Sequence, residues 1–242
     1  MALNHTGHGA HRRGPASGQQ AARGFTLVEL LVALGVMALL AILSWRGLDG
    51  MARAQSQTQT RTNEVLTLQA GLGQWSADLD ALVQLPQTSA IDWDGRVLRL
   101  TRRSTSAPSD GVLVVAWSRR ETEGGQWLRW QSPPVTTRGE LQAAWLKAAT
   151  WARTPGDEER RYEVPVAALQ DWQIFYFRAD AWTHPQSSDS GPGFAALRAA
   201  AAPGIATIPD GVRLVLTLPP GQALSGRITR DWVRPTLGGG KS

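Results

Sequence analysis

The chain has 242 residues, of which 42% are hydrophobic and 19% are charged, so most of it is expected to fold around an apolar core. Cysteine is absent, which excludes disulfides, thiolate metal sites and thiol nucleophiles. Of the four histidines, only His184 lies beyond residue 11, so a histidine-based site in the rest of the chain would depend on that one imidazole.

The net charge of +5 is unevenly distributed along the chain. Residues 1–24 contain three arginines and no acidic residue, which leaves 22 basic and 20 acidic residues for the remainder. That balance is typical of an ordinary soluble surface and not of a nucleic-acid-binding one. We therefore expect no nucleic acid among the partners.

The first element in chain order is an apolar segment over residues 25–45, FTLVELLVALGVMALLAILSW, with Glu29 as its one charged residue. As a helix it would be about 31 Å long, which matches the roughly 30 Å hydrocarbon core of a bilayer. The arginines that precede it predict a cytoplasmic N-terminus, with the following residues on the other side of the membrane. A secretory signal peptide cleaved near Ala54 is the alternative, although the apolar run is long for one.

Glu29 is unusual in such a segment, because a carboxylate at the centre of a membrane helix costs about 2.5–3.5 kcal/mol. One interpretation is that its side chain extends to the lipid headgroups. The other is that a positive charge from a second chain neutralises it.

The residues around Glu29 carry a motif. Residues 23–34, RGFTLVELLVAL, resemble the class III prepilin signal of type IV pilins and type II secretion pseudopilins. The resemblance implies that a prepilin peptidase cleaves after Gly24, which makes residues 1–24 a cytoplasmic leader. It also implies that Phe25 becomes the N-methylated mature terminus, and that Glu29 pairs with the terminal amine of a neighbouring subunit during assembly.

The helix is predicted to continue over residues 46–85, because proline is absent between residues 25 and 85 and Pro86 follows. Within it, apolar residues recur at spacings of three and four, which predicts a helix face packed on a sheet; a short coiled-coil seam is the alternative. We also expect Gly71 and Gly73 to weaken the helix by about 1 kcal/mol each relative to alanine, and to allow a bend. The apolar stripe consists of Val65, Leu68, Leu72, Trp75, Leu79 and Leu82.

Residues 86–242 are predicted to form a β-rich domain. A helix is expected over 140–152, a flexible loop over 184–193 and a frayed tail over 237–242. With the long helix before it, this pattern resembles the pilin-like α+β fold, in which an N-terminal helix packs on an antiparallel sheet. Alternating or buried-type runs predict strands at 97–100, 112–117, 127–130, 162–166, 172–177, 212–218 and 227–233.

Later segments resemble the J-type minor pseudopilins of type II secretion, namely residues 45–49, 169–182, 208–216 and 226–230. The absence of proline from the membrane segment and of cysteine from the chain also favours a minor pseudopilin over a major pilin. Residues 131–165 resemble no segment of that family.

The resemblance implies a single-pass protein of the bacterial inner membrane, with a cytoplasmic N-terminus and a periplasmic domain. Its expected partners are the I-, K- and H-type minor pseudopilins, the prepilin peptidase and inner-membrane lipid. Its expected function is to help initiate the pseudopilus at its tip and so support protein export across the outer membrane. A minor pilin of the PilW type, acting in adhesion, motility or DNA uptake, is the alternative.

Catalytic and metal-binding motifs are weak in this sequence. Residues 92–95, DWDG, are similar to the start of a calcium loop, but the later ligands are missing, so a turn between strands is predicted. Residues 157–159 are interpreted as a solvated charged loop. We expect no catalytic residue, metal, cofactor or small-molecule substrate.

Tryptophan is the one surplus in the composition, with eleven residues. Trp75 and Trp117 lie in core-like patterns, whereas Trp93, Trp130 and Trp182 lie near predicted turns. The three near turns are therefore predicted to contact partner subunits. Stacking on glycans is the alternative use of such rings.

Overall fold

The computed structural model describes residues 24–104, 110–121, 124–178, 180–186 and 208–235. The predicted leader apart from Gly24, residues 187–193 of the predicted loop and the predicted tail therefore lie outside the described residues. Within the described ranges the fold is α+β, as predicted, and consists of α1 (Leu27–Asp80), β1 (Ile91–Trp93), β2 (Val97–Arg103), β3 (Val112–Arg120), β4 (Gln126–Gln131), α2 (Arg138–Arg153), α3 (Asp157–Arg160), β5 (Glu163–Ala168), β6 (Asp171–Arg178), β7 (Ala181–Thr183), β8 (Gly211–Leu218) and β9 (Gly226–Val233).

The chain divides into two compact units, residues 1–55 and 56–242, and α1 contributes to both. In the first unit every described residue is exposed, including Leu27 at 74% and Met37 at 64%. Apolar side chains are exposed on all sides of this part of α1. This is the surface of a helix surrounded by lipid, whereas a helix packed on a globular core has a single apolar stripe.

The second unit contains two antiparallel sheets. Sheet A has the strand order β1-β2-β3-β4-β5, and sheet B has the order β7-β6-β8-β9. Sheet A is a meander of neighbours in sequence, whereas β8 lies between β6 and β9 in sheet B. Pairing is regular except for an irregularity between Trp127 and Leu128, where β4 pairs with β5.

The main core of this unit combines one face of α1 with residues of both sheets. Three tryptophans meet there: the ring of Trp75 lies 5.6 Å from that of Trp117 and 6.1 Å from that of Trp127, and the last two rings are 4.5 Å apart. Such contacts stabilise a core beyond the area that they bury. This packing of a long helix on antiparallel sheet confirms the predicted fold class.

The residues of the predicted apolar stripe are buried to different extents. Leu68, Trp75 and Leu79 are buried in the core, which excludes a coiled-coil seam formed by these side chains with another chain. Leu72 and Leu82 are partly buried against the same core, and Val65 is half-buried.

Helix α1 ends at Asp80, earlier than the predicted end at residue 85. The backbone after Asp80 pairs with β2 instead: the Val83 N–H donates to the Thr101 carbonyl (3.0 Å), and the Arg103 N–H donates to the Ala81 carbonyl (2.9 Å). Leu82 therefore lies outside the helix, in a bridge with Arg102. Sheet pairing, and not Pro86, ends the helix.

Helix α2 covers the other face of sheet A and forms a second core with it. Its start is fixed by a capping box, in which the Thr137 hydroxyl accepts from the Glu140 N–H and the Glu140 carboxylate accepts from the Thr137 N–H. The expected helix over 140–152 is thus present with slightly wider bounds. The loop expected at 157–159 forms the short, largely exposed helix α3.

Two of the three tryptophans predicted to contact partners are buried within this chain, so that prediction is wrong for them. Trp93 packs edge-on to Trp172 at 4.8 Å in the main core, and Trp130 stacks on Trp151 at 6.3 Å in the second core. Trp182 is half-buried and lies between Phe177 and Arg213. Eight of the eleven tryptophans are buried, which leaves few rings for stacking on glycans.

Two short strands, β1 and β7, were not predicted from the sequence. Strand β1 takes in Asp92 and Trp93, and the turn that follows is closed by Asp94, whose carboxylate accepts from the Arg96 and Val97 N–H groups. Gly95 adopts a positive φ of 91° in this turn. The predicted turn between strands is therefore present and begins at Asp94, two residues after the start of its motif.

Candidate membrane and assembly segment

The residues of the sequence motif lie at the start of α1. The Thr26 hydroxyl accepts from the Glu29 N–H (3.3 Å) and the Thr26 carbonyl accepts from the Leu30 N–H (3.2 Å), so Thr26 acts as the N-cap. Gly24 and Phe25 precede the helix. Phe25 is 83% exposed and no heavy atom lies within 4 Å of a Cβ built on Gly24, so the described residues leave the peptide bond between them accessible.

Glu29 lies in the first turn of α1, where the positive end of the helix dipole favours a carboxylate. The sequence signal for this start, threonine followed three residues later by glutamate, is a recognised N-terminal pattern that sequence reasoning did not use. The pairing of Glu29 with a second chain stays a prediction.

The apolar part of α1 has the length and composition of a membrane span. Its most apolar window has a mean hydropathy of 2.6, and none of that window is buried within the chain. Among the described residues, α1 is the one helix that meets both conditions. The segment can therefore cross a bilayer as a single helix.

In the second unit, an ionic cluster under α1 connects the helix to sheet A. Asp78 is fully buried, and its carboxylate accepts from Arg129 Nε (2.8 Å) and Nη2 (2.9 Å) and from Arg102 Nη1 (2.5 Å). It also accepts from Trp117 Nε1 (2.9 Å) and Gln74 Nε2 (2.8 Å). A buried carboxylate with this many charge-assisted partners fixes the position of the helix on the sheet.

The sequence patterns described above do not predict this cluster. Asp78 lies three residues after Trp75 and one before Leu79, and so falls inside the predicted apolar stripe. An acidic residue on an otherwise apolar helix face is the signal that was available. Its two arginine partners come from β2 and β4, and that pairing is visible only once the strand register is known.

Two further carboxylates connect α1 to the region of β9. Asp80 accepts from Trp232 Nε1 (2.7 Å), and Glu64 accepts from the Ala223 N–H (2.8 Å) just before that strand. The second unit therefore holds α1 at both sheets by polar contacts in addition to apolar packing.

Glu163 and Asp231 are among the carboxyl groups outside α1 that have a lowered pKa. Burial raises the pKa of Glu163, but hydrogen bonds from Arg120 and Trp151 outweigh this and leave it below its ordinary value. The pKa of Asp231 is lowered by its two hydrogen bonds from Arg213, each 2.7 Å long. Both shifts are explained by ion pairs that stabilise the fold.

Comparison with known proteins bears on the same segment and on the domain. Residues 20–45 match the family model of the prokaryotic N-terminal methylation motif. Over 188 residues the chain is 23% identical to type II secretion system protein J of Vibrio cholerae serotype O1, which covers 71% of this chain and 78% of the Vibrio protein. No solved structure matches the chain. The chain thus has a prokaryotic N-terminal methylation motif at the start of an apolar, membrane-length helix and is similar over most of its length to a type II secretion system protein J.

Proposed function

We propose that this protein is a minor pseudopilin that acts in type II secretion as a structural subunit of the pseudopilus tip. The observation that carries the proposal is the methylation motif at the accessible start of a helix that can span a membrane, joined to a domain similar to protein J of Vibrio cholerae. The similarity to a secretion protein favours this role over that of a type IV minor pilin. The role consists of assembly and requires no catalytic residue.

In this proposal the chain is inserted in the inner membrane with its N-terminus in the cytoplasm and its second unit in the periplasm. Prepilin peptidase cleaves after Gly24, and Phe25 becomes the N-methylated terminus. Glu29 then pairs with the terminal amine of a neighbouring subunit, because an unpaired carboxylate is costly in lipid. I-, K- and H-type minor pseudopilins are the proposed neighbours.

Mass spectrometry of the chain isolated from membranes tests the first step. We expect a mature chain that begins at Phe25 and carries one methyl group, and an uncleaved chain in cells that lack prepilin peptidase. A mature chain that begins near Gln55 and fractionates without membranes would instead identify a cleaved signal peptide and contradict the proposal. Loss of secreted proteins, without loss of pili, on deletion of the gene is the expected cellular result.

A further inference from the structure

Strand β9 differs from the other strands at the edges of the two sheets. Strands β1 and β7 have three residues each, and β5 contains Pro165 and the irregular pairing with β4. Short strands, proline and bulges are the usual means by which proteins prevent a sheet edge from pairing with another chain. Strand β9 has none of these three features, although it carries charged side chains, which also protect sheet edges. Its eight residues pair in regular register with β8, and no described residue pairs with its other side.

The alternation of hydrogen bonds along β9 identifies which of its backbone groups do not bond to β8. The Arg234 N–H donates to the Asp210 carbonyl (2.8 Å), which continues the β8–β9 ladder by one pair. Because ladder bonds alternate along an antiparallel pair, residues 228, 230 and 232 bond to β8 in the same phase. Residues 227, 229, 231 and 233 therefore direct their N–H and carbonyl groups away from β8, over about 20 Å of strand.

The charges along this edge are mostly positive. Arg227, Arg230 and Arg234 are exposed and form no ion pair with any residue in the described part of the chain. Asp231 is the one acidic residue of the strand, and its carboxylate accepts two hydrogen bonds from the Arg213 guanidinium. Two copies of this chain paired through β9 would bring six such arginines together along one seam, which disfavours self-pairing.

We propose that β9 is a docking edge to which another minor pseudopilin adds an extended strand that carries carboxylates opposite Arg227 and Arg230. Main-chain hydrogen bonds to residues 227–233 supply the pairing, and the arginines select an acidic strand and its register. This inference rests on the proposed function for the class of partner, whereas the edge itself follows from the fold.

The test uses the full chain in detergent, alone and in complex with co-expressed I-, K- and H-type minor pseudopilins. Hydrogen–deuterium exchange of the 226–234 segment is expected to slow at least tenfold in the complex. Thr229→Pro removes one outward N–H without removing a bond to β8, so it should weaken the complex at least tenfold. Thr229→Val, which keeps that N–H, is the matched control and should leave the complex unchanged.

A charge test separates side-chain selection from backbone pairing. The double variant Arg227→Glu and Arg230→Glu should also weaken the complex at least tenfold, whereas Arg153→Glu, at an exposed arginine of α2, should not. A complex in which the 226–234 segment exchanges as fast as in the free chain would overturn this inference and leave the proposed function intact. Absence of any complex would overturn both the docking edge and the proposed function. If the segment became protected in the chain alone as its concentration rises, β9 would pair with a second copy of this chain, and the acidic partner proposed here would be wrong.

Discussion

Two glycines of α1 that are two residues apart occupy opposite environments. A Cβ built on Gly71 would lie 2.1 Å from Val166 Cγ1, whereas nothing lies within 4 Å of one built on Gly73. The helix continues through both positions without interruption. Gly71 is therefore a position of close approach between α1 and β5, and Gly73 is an ordinary exposed helix position.

We predict that Gly71→Ala lowers the free energy of unfolding by about 1–3 kcal/mol, because the added methyl group overlaps Val166. The matched variant Gly73→Ala should raise it by about 1 kcal/mol through helix propensity alone. Chemical denaturation of the chain in detergent, followed by tryptophan fluorescence, measures both values. Equal stability of the two variants would show that α1 does not approach β5 this closely.

The ionic cluster at Asp78 gives a second prediction at the scale of the residue. Asp78→Asn removes the charge that two arginines share, and we expect the free energy of unfolding to fall by about 3–5 kcal/mol. Glu158→Gln is the control: its partner is Lys147, both side chains are more than half exposed, and its effect should stay below about 1 kcal/mol. Comparable losses in the two variants would contradict the role given to the buried cluster.

At the scale of the elements, Glu163 connects β5, β3 and α2. It lies in β5, accepts two hydrogen bonds from Arg120 of β3 (3.1 and 2.9 Å) and one from Trp151 of α2 (2.7 Å). Despite the opposing effect of burial, these contacts lower its pKa from the ordinary 4.5. The folded state therefore binds the proton of this group less readily than the unfolded state does.

The sign of the pH dependence follows from that difference. The contribution of Glu163 to stability is fully present above about pH 4.5 and is lost as the pH falls through its lowered folded value. We predict that Glu163→Gln lowers the free energy of unfolding at pH 7. It should also make the fall of this free energy less steep between about pH 5 and about pH 3, where carboxyl groups titrate. Denaturation midpoints measured across that range, with the exposed Glu121→Gln as control, test this; parallel curves for wild type and Glu163→Gln would contradict it.

At the scale of the whole molecule, Glu29 is predicted to serve assembly and not folding. Replacement by leucine removes a charge from an apolar helix, so membrane insertion and the stability of the second unit should stay at wild-type levels. Incorporation into the pseudopilus, and with it secretion, should fall at least tenfold, because the neutralising partner of the terminal amine is lost.

Cross-linking of assembled pseudopili and measurement of secreted protein check this outcome. Asp49→Asn, which removes an acid of the same helix that already pairs with Arg53, is the matched control. Wild-type secretion by the Glu29→Leu variant would show that the carboxylate has no part in assembly.

Sequence patterns were sufficient to predict the membrane-length apolar helix, the prepilin-type motif at its start, the α+β class and the approximate positions of seven strands and of α2. These features depend on composition, on motif spacing and on periodicity, which are local properties of the chain. The candidate residues Gly24, Phe25 and Glu29 were likewise identified from the motif alone.

The end of α1, the burial of the tryptophans and the neutralisation of Asp78 could not be predicted without the folded structure. Each depends on residues that are distant in sequence: β2 pairs with the backbone after Asp80, and Arg129 of β4 reaches Asp78 across 51 positions of the chain. The position of β9 at the edge of sheet B, as the described residues form it, belongs to the same group, because a strand is known to lie at an edge only when the order of the sheet is known. Local patterns specify which face of an element is apolar, and the sheet register then selects the partner that each face and each charge will meet.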